Sequence, residues 1–285
     1  MNLPWKMWRQ LKSLTQRVET LEQNVRSLNQ ITSRLECLSL TSDPHESEKR
    51  LVLMRHFVQN LQENIKVKRF GRHGDGGYYM AEPIYKHDVL ISAGLADDVS
   101  FEEDLSTKLE LIIGLDHTIP PLSTRMLNFK HLNVGLGVEG QRGFMTIPKL
   151  IENYPGRDYL LKIDIEGDEW NVLDETDPNV LKCFRQIVIE FHGFTQKLPN
   201  EKYDQMVRVL EKMNLHHSLL FVHANNNGEY RFFGSLKVPD VIEVTYIRHG
   251  EDYIPNIGNF SSFDLASQNS ETLRPISRDW KSSIL

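Results

Sequence analysis

Cysteine is scarce in this chain: Cys37 and Cys183 are the two in 285 residues, which excludes a disulfide framework and a cysteine-rich zinc site. A reducing, cytoplasmic setting is the expectation. Basic excess is also lacking. Lysine and arginine number 33 against 39 aspartate and glutamate, for a formal net charge of −6, so the electrostatic footprint of a nucleic-acid binder is missing and no nucleic-acid partner is expected. No apolar run reaches the length of a membrane-spanning helix, and charged residues stand where a signal peptide would need its apolar core. What remains is a globular chain whose 40% hydrophobic content supplies a core for one large domain, alone or with an appendage.

The appendage is visible at the N-terminus. From Met7 to Leu35 apolar residues follow a seven-residue repeat, with Leu11, Val18 and Val25 at a positions, Met7, Leu14, Leu21, Leu28 and Leu35 at d, and Thr32 as the one break. A stripe that narrow is buried only against a partner, so residues 7–35 are expected to form an α-helical coiled coil that makes the protein a homo-oligomer. Just before it, Trp5 and Trp8 with Lys6, Arg9 and Lys12 make an aromatic and basic cluster of the kind that sits at the inner face of a membrane, unless it is a frayed end. Residues 40–47 turn to Ser, Thr, Asp, Pro and His without periodicity and read as a linker. The chain divides on this reading into 1–45, the helix and linker, and 46–285, the globular domain.

Beyond residue 50, short apolar runs alternate with helical patterns, the rhythm of a mainly parallel sheet with crossover helices. The strands are expected at 88–93, 111–116, 131–136, 159–165, 186–191, 218–223 and 241–246, and helices near 99–109, 146–153, 168–175 and 200–213. The last two strands have no room for a crossover helix between them and are expected to pair antiparallel at one edge. Seven strands result, six parallel and one antiparallel.

Chemistry collects at the ends of these strands. The run Tyr159–Ile165 finishes in Asp164 and Glu166 before Gly167 and a new helix. A buried carboxylate is costly unless paired or put to use, and ligands of open α/β sheets bind at the carboxyl ends of strands. The plainer reading makes Asp164 a cap of the helix that begins near Asp168. The turn Ser92–Glu102 follows the first strand. There Gly94 permits close backbone approach, and Ser100 is placed to cap the next helix. This turn lacks Gly-x-Gly-x-x-Gly, and Asp97 and Asp98 would repel a pyrophosphate, which disfavours a nicotinamide cofactor. S-adenosyl-L-methionine, with no phosphates and a positive sulfur, suits it better. Asp116 ends the second strand, where a carboxylate binds both hydroxyls of a ribose or else caps a turn. Glu190 and His192 end the fifth. With Asp164 they can take the proton of a hydroxyl acceptor, His192 being best matched near neutral pH, or they can hold a divalent cation such as Mg. The glycine-rich Arg69–Tyr79 segment is either a tight turn or a direct cofactor contact. His223-Ala-Asn-Asn-Asn-Gly228 reads either as a plain turn or as a segment whose His223 and Asn225 face the acceptor, and Glu243 reads as edge-strand chemistry.

Leu161-Lys-Ile-Asp-Ile-Glu-Gly-Asp-Glu-Trp170 resembles the signature of the FkbM-type S-adenosylmethionine-dependent methyltransferases. Asp75-Gly-Gly-Tyr78, the Ser92–Phe101 turn, Ile189-Glu-Phe-His192, His223-Ala-Asn-Asn226 and Pro239–Tyr246 look like further blocks of that family, over about residues 68–248. The resemblance implies a class I methyltransferase fold: a Rossmann-like α/β domain with a seven-stranded, mainly parallel sheet and helices on both faces. It also implies methyl transfer, usually to a hydroxyl oxygen of a sugar in a polysaccharide, glycolipid or natural product. Gly94 and Asp97 would meet the methionine end of the cofactor, Asp116 its ribose and Asp164 the transferring methyl, with Tyr78, Ser92 and Ser100 around them. Glu190 and His192 would border the acceptor. Ser92 stands where the family often has an acidic residue, so Asp75 or Asp97 would substitute. The reading is an O-methyltransferase acting on a sugar or glycan. Its rivals are an oligomeric scaffold with a worn methyltransferase domain and a methyltransferase for another substrate class.

Overall fold

The computed structural model describes Val18 and residues 41–59, 65–122, 124–251 and 253–254. The heptad repeat, apart from Val18, and the Trp5–Lys12 cluster lie outside the described residues.

The elements run in the order α1 (Pro44–Gln59), β1 (Val67–Phe70), β2 (Tyr78–Ala81), β3 (Asp88–Ala93), α2 (Ser100–Ser106), β4 (Leu111–Leu115), β5 (Phe129–Leu132), β6 (Gly135–Leu136), β7 (Phe144–Met145), α3 (Ile147–Asn153), β8 (Asp158–Ile163), α4 (Glu169–Glu175), α5 (Pro178–Leu181), β9 (Phe184–His192), α6 (Asn200–Asn214), β10 (His217–Ala224), β11 (Tyr230–Phe233), β12 (Leu236–Pro239) and β13 (Val241–Arg248). Seven strands form the central sheet in the order β10-β13-β9-β8-β3-β4-β5. β13 is antiparallel to both its neighbours, and the remaining pairs are parallel. This is the six-plus-one arrangement expected from the sequence, and it gives the domain its Rossmann-like α/β fold. The chain order reverses direction at β3, the point where open sheets of this kind open a crevice.

The central strands are apolar on both faces because both faces are covered. Val89, Ile91 and Ala93 of β3 and Leu161 and Ile163 of β8 pack into a core with Leu53 and Phe57 of α1, Trp170 of α4 and Met206 and Leu210 of α6. The alternate residues Leu90, Leu160 and Val188 face a smaller core made with Phe101 and Leu105 of α2 and Phe70, Tyr78 and Met80 of the β1–β2 hairpin. Helices therefore lie on both faces, but a hairpin does half the covering on the second. Gln186 fixes that hairpin to the sheet, its side-chain amide exchanging two hydrogen bonds with the Ala81 backbone at 2.8 and 2.9 Å.

Two expectations are corrected. The third strand, expected over 131–136, divides into β5 and β6. After Leu132 the chain leaves the sheet, and Gly135–Leu136 pairs instead with Phe144–Met145. The segment 40–47 is not all linker. Pro44 opens α1, a position suited to its fixed φ, and Asp43 accepts the His45 N–H at 2.9 Å. The Ser, Asp and Pro that read as a linker mark a helix start. That helix is bound firmly: the fully buried Arg50 pairs with Glu46 at 2.5 Å and donates to the Phe194 and Gln196 carbonyls.

Candidate active site

β3, β4 and β8 end around a cavity of about 380 Å³, within the range of small-ligand sites. Gly94, Asp116 and Asp164 all line it. Gly94 follows β3 with φ 80° and donates to the Leu115 carbonyl at 3.0 Å, while Asp164 donates its N–H to the Ala93 carbonyl at 3.0 Å. The two turns thereby touch, and a side chain on Gly94 would run into the Asp164 carbonyl oxygen. Leu115, Leu136 and Phe144 form an apolar wall, with His117 tilted against Phe144 at 4.8 Å. That wall carries Gly135-Leu-Gly-Val-Glu-Gly140, which has the glycine spacing of a dinucleotide turn but forms β6 and its following loop, with no helix to receive a phosphate before Ile147. Among the described residues, the non-glycine residues with left-handed backbone are Ala96 (φ 48°) and Glu166 (φ 59°), and both line the cavity. Strain of this kind gathers where a site over-determines the backbone.

Asp116 holds the turns around this cavity. Its carboxylate accepts the Leu95 and Ala96 N–H groups at 3.0 Å each, and from Thr118 the N–H at 2.8 Å and the hydroxyl at 2.6 Å. Burial pushes its pKa up, but these hydrogen bonds outweigh it and hold the group below the ordinary carboxylate range. Asp164 does not cap the helix after it. Its Oδ2 accepts the Tyr78 hydroxyl at 2.8 Å and lies 3.6 Å from the Lys162 ammonium, which also donates to the Gly94 carbonyl. Lys162, nearly buried in β8, is a site residue that sequence reasoning passed over. Its signal was available: a lysine inside an otherwise apolar strand needs a partner.

Several other expected contacts are redirected. Ser92 is fully buried, and its hydroxyl donates to Glu102 rather than facing the cavity. Ser100 is the first residue of α2, not its cap. Its N–H and hydroxyl both donate to Asp98, and it accepts the Arg72 N–H at 2.8 Å, clamping the glycine-rich turn. Asp97 is exposed and stands outside the cavity lining. Asp75 stands outside the cavity lining. Its carboxylate gathers with those of Glu190 and Glu243, their oxygens within 4.8 Å of one another.

That gathering defines a second, acidic side of the site. Glu190 of β9 and Glu243 of β13 stand directly opposite each other in the antiparallel register and are both buried. Asn225, at the end of β10, donates to the two of them at 3.2 and 3.3 Å. Glu243 is therefore no edge-strand residue. Burial and the neighbouring Asp164 charge, opposed by His192, raise Glu190 to about 7. His192 is bracketed by Glu169 at 3.2 Å from Nδ1 and by Glu190 and Glu166 at 3.5 and 3.6 Å from Nε2. Burial disfavours its charge, but these carboxylates prevail and raise its pKa to about 11. The imidazole keeps its proton at neutral pH, so proton acceptance falls to a carboxylate. Ligand atoms of Asp164, Glu190 and His192 also lie within 4.8 Å of one another, a donor set that suits a divalent ion.

Asp116 and Asp164 thus share one crevice, with an apolar slot on one side and carboxylates on the other. The residues present suit S-adenosylmethionine: the apolar wall would take a base, the Asp116 carboxylate would accept ribose hydroxyls, and the acidic groups would favour a positive sulfur. A family model described as the methyltransferase FkbM domain matches residues 70–216. No curated protein sequence matches the chain. Similar solved structures include a Streptococcus mutans protein described as a methyltransferase and solved with SAH (12% identity, 58% of this chain and 88% of that one, TM-score 0.33). An rRNA methylase from Streptococcus thermophilus is another (7% identity, 58% and 89%, TM-score 0.34). No helix among the described residues is long and apolar enough to cross a membrane. With more than half of its length matched by that model, the chain belongs to the FkbM methyltransferase family and is an S-adenosylmethionine-dependent methyltransferase.

Proposed function

We propose that the enzyme methylates a hydroxyl of a sugar in a glycan, glycolipid or natural product. The observation that carries this reading is the cluster of hydrogen-bond acceptors beside the cavity: Asp75, Asp164, Glu190 and Glu243, with Asn225 between the last two. Neighbouring sugar hydroxyls are donors that match it. When bound, S-adenosylmethionine supplies a methyl group on a positively charged sulfur, open to displacement by an oxygen. Asp164, joining cavity and cluster, accepts a neighbouring hydroxyl of the same sugar and so aims the reacting oxygen along the line of attack. Glu190, raised to about 7, is poised as the general base that takes the hydroxyl proton. Charged His192 holds Glu190 and Glu166 in place. A ribose hydroxyl would reach Asp116 Oδ1 in place of the Thr118 hydroxyl that it now accepts.

Labelled S-adenosylmethionine incubated with a panel of nucleotide sugars and lipid-linked glycans tests this reading. Label is expected in a sugar as an alkali-stable ether. Label confined to RNA or protein acceptors added to the same panel would refute it. A second reading puts a divalent ion, held by Asp164, Glu190 and His192, in place of the His192 Nε2 proton, favoured by the spacing of the ligand atoms, and such an ion would lower the hydroxyl's pKa. Turnover that survives EDTA would dismiss the ion and leave the carboxylates to act alone.

The heptad repeat supports a further part of the proposal, assembly through residues 7–35. Lysine at Leu14, Leu21 and Leu28 together is expected to reduce the sedimenting mass of the full chain to that of one copy. An unchanged mass would refute the coil.

A further inference from the structure

Glu169 has no role in the chemistry so far. It is the first residue of α4 and has no exposed surface. One of its oxygens, Oε1, accepts the Ile165 N–H at 3.0 Å and the Gly167 N–H at 3.1 Å, and faces His192 Nδ1 at 3.2 Å. The other, Oε2, is buried with no hydrogen-bond partner among the described residues.

A neutral amide would satisfy the two peptide N–H groups as well as a carboxylate does. Full charge in an apolar interior, with one oxygen unpaired, is costly. The imidazole is the charged group in direct contact with it, and Lys202 adds a weaker attraction from farther away. Because a carboxylate only accepts, Nδ1 must carry the hydrogen, and the ring is turned so that Nε2 points to Glu190 and Glu166. Ile165 and Glu166 line the cavity, so the carboxylate that orients His192 also shapes the cofactor side.

We infer that Glu169 is the positioning residue for methyl transfer: one buried carboxylate sets both the 165–167 turn against the cofactor and the His192 ring against the acceptor. The importance of the ring for the acceptor rests on the function proposed above, whereas the two contacts do not.

The test uses the full chain and S-adenosylhomocysteine, and so needs no acceptor. Wild-type protein is expected to show a downfield Nδ1–H proton signal that disappears in His192→Gln. In Glu169→Gln that signal moves upfield and exchanges faster with water, while affinity for S-adenosylhomocysteine stays within about threefold, under 1 kcal/mol. In Glu169→Ala the signal is lost and the affinity falls about tenfold, near 1.4 kcal/mol. An unmoved ring signal in Glu169→Gln, or unchanged affinity in a folded Glu169→Ala, would overturn the inference. If the alanine variant does not fold, the ring signal in Glu169→Gln decides. A glycan panel that fails leaves both readouts intact, so the two proposals fail separately.

Discussion

Gly94→Ala is expected to cost the protein about 3 kcal/mol or more of stability and to abolish measurable binding of S-adenosylhomocysteine. Two penalties combine. At φ 80° an alanine pays about 1–2 kcal/mol for left-handed backbone. Its methyl group would also be driven into the Asp164 carbonyl oxygen, and forced contacts of this kind cost about 1–3 kcal/mol. Relief is hard to find, because the neighbour is backbone. β3 and β8 are in register up to Ala93 and Ile163, and the Asp164 N–H is bonded to the Ala93 carbonyl just beyond. Parting them would open the floor of the cavity. Gly140→Ala is the control. Gly140 has nearly the same φ, 79°, but an added Cβ there meets nothing within 4 Å among the described residues. Urea denaturation of both variants separates conformation from collision. Equal losses would show that the close approach of the two strand ends is not what requires a glycine at position 94.

Much of this framework is legible in the sequence because the strands that build it are buried on both faces. Tyr159–Ile163 and Ile187–Phe191 are apolar runs interrupted only by Lys162 and Glu190, the two residues turned to the site, because a strand covered on both sides is written in apolar residues. Asp116 and Asp164 were legible as strand ends for the same reason: the apolar run stops and a charge follows. The third strand was misplaced because the branch between β5 and β6 depends on Phe144, a residue distant in sequence that gives Gly135–Leu136 a different partner. Side-chain direction was the harder problem. Ser92 and Ser100 sit at the right places in the chain, but Glu102 and Asp98 compete for their hydroxyls, and a turn's sequence does not say which donor wins. Glu243 was missed because its role comes from register. It stands opposite Glu190 only after β13 has entered the sheet between β9 and β10. Glu169 lay within the recognised motif, but nothing in the spacing says that a carboxylate at the start of a helix turns back to hold the preceding loop.

Asp164→Asn is expected to lower turnover by about 10²-fold, the loss that goes with a misplaced reacting oxygen beside a weakened base, while leaving the fold and S-adenosylhomocysteine binding nearly as they are. The exchange keeps the shape of the side chain. The amide oxygen still accepts the Tyr78 hydroxyl, now 2.8 Å from Oδ2, so the hairpin that carries Tyr78 stays seated. What disappears is charge. Lys162 loses its ion-pair partner at 3.6 Å and keeps the Gly94 carbonyl. Glu190 loses the neighbour that, after burial, does most to raise it to about 7. With that repulsion gone, Glu190 ionises at lower pH and becomes a weaker base. The acidic limb of the turnover profile, set by loss of Glu190's proton, should therefore move to lower pH in Asp164→Asn, as the plateau falls. These two shifts distinguish a charge that acts on the reaction from one that merely stabilises the strand end, since the latter would lower the unfolding midpoint and leave the limb where it was. Turnover within tenfold of wild type, measured on the acceptor that the glycan panel identifies, would remove Asp164 from the mechanism. An acidic limb that stayed in place as the plateau fell would point to a base other than Glu190.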